Sequence, residues 1–123
     1  MLEGVSASYV YGLGHWADGA VTVSQSSVSL GNVNATNAIY GLAYNLGQGA
    51  TLETSAVVLR GVNATSSHVY GLAGYANGPV SLAGANVTLE GASGNCVYGL
   101  AWNLTQGVSL AGSAVALEGT SAT

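Results

Sequence analysis

Short apolar phrases separated by small polar residues run the length of the chain and return at a fixed spacing. The most distinctive is VYGLG at Val10–Gly14, which recurs as IYGLA at Ile39–Ala43, VYGLA at Val69–Ala73 and VYGLA at Val97–Ala101. Their tyrosines, Tyr11, Tyr40, Tyr70 and Tyr98, lie 29, 30 and 28 residues apart. A constant period in this range marks a fold that stacks one supersecondary unit on the next. Two further phrases follow in each unit. One is VTV, ATL, VSL and VSL, beginning at Val21, Ala50, Val80 and Val108; the other is VSL, VVL, VTL and VAL, beginning at Val28, Val57, Val87 and Val115. Both alternate apolar and mostly small polar residues, the period-two pattern of a strand with one buried face. Between them lie Gly, Asn, Ser, Gln and Pro79, which is turn chemistry. The 19 glycines and the brevity of every apolar run oppose helix.

These elements predict an all-β, parallel β-solenoid (β-helix) of about four coils of 28–30 residues, with three short strands per coil. The chain reads as one domain, 1–123, with a partial unit at 1–9 and repeats at 10–38, 39–68, 69–96 and 97–123. Four inward columns are expected: Val21/Ala50/Val80/Val108, Val23/Leu52/Leu82/Leu110, Val28/Val57/Val87/Val115 and Leu30/Leu59/Leu89/Leu117. The outward column Thr22/Thr51/Ser81/Ser109 is expected to form a hydroxyl ladder. Length varies only after the Leu-Glu-Gly position, where NATNA, NATSSH and SGNC differ, so this tail is predicted as a loop. In the VYGLA phrase the favoured reading turns Tyr and Leu inward, the alternative being a bend at the Gly. A membrane barrel of four hairpins is disfavoured, because its strands need about 9–11 residues.

Composition narrows the function. Charged residues make up 5% of the chain, Arg60 is the single basic one and the formal net charge is −4. That excludes the clustered Lys and Arg that nucleic acid or an anionic membrane surface demands. At 49% hydrophobic residues, regularly placed, the chain is not of disordered composition. No window approaches about 18 uninterrupted apolar residues, and the N-terminal stretch has neither basic nor long apolar region, so no membrane insertion and no signal peptide are expected.

Candidate chemistry is sparse. Glu3, Glu90 and Glu118 share one repeat position, with Arg60 in the same column, which predicts a solvated Glu–Arg rim rather than a catalytic pair. Asp18 and Glu53 occupy other positions. His68 and Cys96 each precede a VYGL phrase on successive coils, but two ligands make a weak metal site. No catalytic residue, metal site or cofactor is predicted, and the chain is not expected to be an enzyme. The sequons at Asn34, Asn63, Asn86 and Asn103 read as stacked turn asparagines. His15, Trp16, Tyr44, Tyr75 and Trp102 cluster just after the VYGLA phrase. They form either a stripe for sugar stacking or protein contact, or a partly buried corner of the coil.

The tandem VYGLA units, each followed by text like GPVSLAGANVTLEG, resemble repeats in β-helical passenger regions of autotransporters and large bacterial surface adhesins. The resemblance implies a right-handed parallel β-helix outside a Gram-negative cell, hence an extracellular or cell-surface location. The expected function is a structural or adhesive solenoid segment that associates end to end into a rod or fibre by strand stacking. The rival expectation is a carbohydrate-binding or carbohydrate-active β-helix, with a host or surface glycan as partner.

Overall fold

The structure, a computed structural model, describes residues 1–122 and consists of short strands and turns wound into about four superposed coils. Every strand pairs in parallel with its equivalent one coil away, giving four sheets that run along the solenoid axis. The first sheet carries the tyrosine phrase, in Ser6–Tyr11, Asn34–Tyr40, His68–Tyr70 and Cys96–Tyr98. The second stacks Gly14–Ala17, Ala43–Leu46, Ala73–Ala76 and Ala101–Leu104. The third stacks Val21–Ser24, Ala50–Glu53, Val80–Ala83 and Val108–Ala111. The fourth stacks Leu2–Glu3, Ser27–Gly31, Ala56–Arg60, Asn86–Glu90 and Ala114–Glu118.

The three predicted phrases all form strands. A fourth face per coil arises because the residues after the tyrosine phrase make a strand of their own beyond the glycine. The four predicted aliphatic columns stand in register, as in Val80↔Ala50, Val80↔Val108, Leu89↔Leu59 and Leu89↔Leu117. In the middle coils Leu52, Leu59, Leu82 and Leu89 are fully buried. The column Thr22/Thr51/Ser81/Ser109 is also in register on the outer side of the third sheet.

The tail after the Leu-Glu-Gly position is not simply a loop. Val33, Val62 and Ala92 are buried in the main core, and the residues that follow pair as Asn34↔Asn63 and Asn63↔Ser93. Only the few residues between there and the next tyrosine phrase absorb the length difference. The asparagines correspondingly lie on strands rather than in turns. Asn34 and Asn63 are partners, whereas Asn86 faces Ala56 and Ala114 across the ladder.

Two turn devices hold the coils. At the exit of the fourth sheet Gly4, Gly61, Gly91 and Gly119 adopt φ of 56–65°, with Asn32 (φ 50°) taking the same place in the repeat 10–38. That left-handed conformation suits Gly and, next best, Asn, which accounts for the Gly of Leu-Glu-Gly. Between the third and fourth sheets a serine caps the backbone. Ser55 Oγ donates to the Glu53 carbonyl (2.7 Å) and accepts from the Ser26 amide (3.2 Å). Ser113 repeats this, accepting from the Ala85 amide at 2.9 Å.

Candidate functional site: an aromatic groove

Each tyrosine phrase runs into its glycine and turns there. A Cβ at Gly41 would overlap the Gly71 carbonyl oxygen of the next coil and press on Val57, and Gly12 and Gly71 are confined in the same way. Only glycine lets successive backbones approach this closely. The turn breaks the period-two alternation, and the favoured inward orientation of Tyr is thereby corrected. Val10, Ile39 and Val69 enter the main core, as do Leu42 and Leu72 beyond the bend. Tyr40 and Tyr70 belong to a separate cluster outside it, with Ala38 and the partly buried Tyr11, Tyr44 and Tyr98. The bend at the Gly thus carries Val and Leu inward and Tyr outward.

The four tyrosines form a continuous stack. Ring centroids are 5.1 Å apart for Tyr11–Tyr40, 4.8 Å for Tyr40–Tyr70 and 5.0 Å for Tyr70–Tyr98, with planes within 6° of parallel. Rings held at the coil repeat gain both burial and ring–ring attraction. Tyr40 and Tyr70 are buried by their own neighbours although they face outward. Burial, reinforced by the neighbouring phenols, raises the Tyr70 pKa to about 12 and that of Tyr40 still higher. Tyr98 is raised chiefly by its hydrogen bond with Cys96.

The bend also makes a re-entrant corner, in which the outer side of the second sheet faces the tyrosine stack. Tyr11 lies 5.2 Å from His15, and Tyr40 lies edge-on to Tyr44 at 5.6 Å. The predicted stripe is brought together along the second sheet by the contacts His15–Tyr44 (5.4 Å), Trp16–Tyr44 (6.1 Å), Tyr44–Tyr75 (5.4 Å) and Tyr75–Trp102 (5.2 Å). The result is a groove along the axis with two hollows. One, of about 600 Å³, lies beside Tyr9, Tyr11, His15, Ala38, Tyr40 and Tyr44. The other, of about 350 Å³, lies beside Tyr44, His68, Tyr70, Gly74, Tyr75, Tyr98 and Trp102.

The sequence marks the tyrosine column as a repeat ladder and His68 as a weak metal-ligand candidate, and it marks neither of them, nor Gly74, as part of the groove. The tyrosine stack forms its floor. Gly74 leaves a gap in the wall between Tyr44 and Trp102. His68 forms the opposite wall, edge-on to Tyr70 and Tyr98 at 5.9 Å each, and its Nδ1 is buried without a hydrogen-bond partner. Its register partner on the next coil is Cys96, so the imidazole wall does not recur from coil to coil.

The remaining candidates stay apart. His68 and Cys96 are partners in register, but among the described residues no three His, Cys, Asp or Glu come close enough to hold a metal. The rim column reads Glu3, Gly31, Arg60, Glu90 and Glu118, on the far side of the coil from the groove. Arg60 Nε donates to Glu90 Oε2 at 2.8 Å, with both side chains exposed, an ion pair worth at most about 1 kcal/mol. No Asp or Glu lines either hollow. No family model, characterised protein or solved structure matches the chain.

Proposed function

We propose that the protein is a structural and adhesive rod segment of a bacterial surface, extended by stacking of like coils end to end. One observation carries this reading: the aliphatic columns are covered in the middle of the molecule and bare in its terminal layers. Leu42 and Leu72 are buried, whereas Leu13, their equivalent in the first coil, is 57% exposed. Leu82 and Leu89 are buried, whereas Leu110 and Leu117, above them, are 51% and 44% exposed. Each terminal layer also presents a row of unpaired backbone groups, which templates further strands. Charges that would oppose such pairing are few. The likeness of the repeats to autotransporter passengers and surface adhesins supports placement outside the cell.

Sedimentation velocity across a concentration series tests the reading. The chain is expected to sediment as growing oligomers, and Leu110→Glu is expected to hold it monomeric, because the charge would have to be buried between layers. A wild-type chain that stays monomeric at every concentration contradicts it.

A further inference from the structure

The groove has the chemistry of a ligand site, and we infer that it binds a neutral, linear oligosaccharide lying along the solenoid axis. Its surface alternates ring faces with phenolic and imidazole groups, and no charged side chain lines either hollow. A pyranose presents the matching pair of features, an apolar C–H face for aromatic rings and a rim of hydroxyls for polar tips. The formal charge of −4, with Arg60 as the single basic residue, selects against acidic sugars.

The dimensions suit a chain rather than an isolated small molecule. One hollow sits at the first and second tyrosines and the other at the third and fourth, so they are offset by two coils, or about 10 Å. Tyr44 lines both and divides them. Gly74 lines the second hollow, and a Cβ there would press on Tyr44 and Tyr40. His68 gives the site a polar demand that the fold leaves unmet. Its Nδ1 is enclosed and unpaired against the tyrosine stack, a costly arrangement for a buried polar atom. With no carboxylate at the groove, the inference is binding and not glycoside cleavage.

The test is titration of the intact chain, followed by nuclear magnetic resonance, with tetramers of β-1,4-linked glucose, α-1,4-linked glucose and β-1,4-linked N-acetylglucosamine. Saturable binding of at least one tetramer is expected, shifting the Trp102 indole and His68 imidazole resonances together. Trp102→Ala and His68→Ala are each expected to weaken it about tenfold or more, while Arg60→Ala leaves it unchanged. Trp102 is exposed, so its loss leaves the fold intact, which the spectrum itself reports. Failure of all three tetramers to bind at millimolar concentration overturns the inference. So does binding indifferent to both variants, or binding of tetramethylammonium alone, which would assign the rings to a cation. The groove runs along the side of the rod, so the outcome is independent of end-to-end association.

Discussion

Tyr40 and Tyr70 lie face to face across adjacent coils, centroids 4.8 Å apart and planes within 1° of parallel, on the outside of a sheet. An outward column is therefore part of what holds the coils together. Tyr70→Ala is expected to lower stability by about 3 kcal/mol in urea unfolding, the scale for deleting a buried aromatic ring. Tyr70→Phe, which keeps the stack, is expected to cost under about 1 kcal/mol. Equal losses in the two variants would show that the hydroxyl, not the stack, matters.

The two kinds of glycine in the tyrosine phrase make opposite predictions. Gly41→Ala forces a Cβ onto the Gly71 carbonyl and is expected to cost about 3 kcal/mol or more. Gly14 has open space around it and stands where other coils carry Ala43, Ala73 and Ala101. Gly14→Ala is expected to be neutral or stabilising by up to about 1 kcal/mol. Thermal melts of the two variants check this, and a tolerated Gly41→Ala would contradict the close approach of the coils.

Titration of the stack gives stability a defined alkaline limit. Tyr70 ionises near 10.0 when unfolded and near 12 when folded, with Tyr40 raised further. The folded state therefore holds protons that the unfolded state has lost. Its stability advantage is complete below pH 10 and is lost as pH rises through 12. Urea midpoints are expected to be flat below pH 10 and to fall above it, less steeply in Tyr70→Phe. A flat profile through pH 12 would mean that the stack is open to water.

Much of this was legible in the chain. The period, the four aliphatic columns and the shared Glu/Arg position all follow from like residues recurring at like positions, which parallel stacking places in register. The aromatic stripe was legible for the same reason. The orientation of Tyr40 was not, because alternation specifies a side only while the backbone stays straight, and Gly41 bends it. Val33, Val62 and Ala92 were hidden by the variable length of the tail that begins there. His68 and Gly74 were illegible as site components because each departs from the repeat, and their role exists only where two sheets face each other.

The ends of the chain carry a redundancy with a consequence for assembly. Leu2–Glu3 and Leu117–Glu118 belong to the same sheet at the same repeat position, through the columns Leu2↔Leu30 and Leu89↔Leu117. A second copy stacked in register must displace one of these segments, since both cannot occupy one layer. Residues 1–8 are mostly exposed and are the segment expected to yield. Their removal is expected to accelerate assembly, monitored by light scattering. Slower assembly on removal would show instead that they form the contact.

The central proposal, that this parallel solenoid extends by stacking of like coils, is tested most directly by electron microscopy of the purified chain across a concentration series. The account predicts filaments that lengthen with concentration and show an axial repeat of about 4.8 Å, the separation of hydrogen-bonded strands. Discrete particles of constant size at all concentrations, without that repeat, would contradict it.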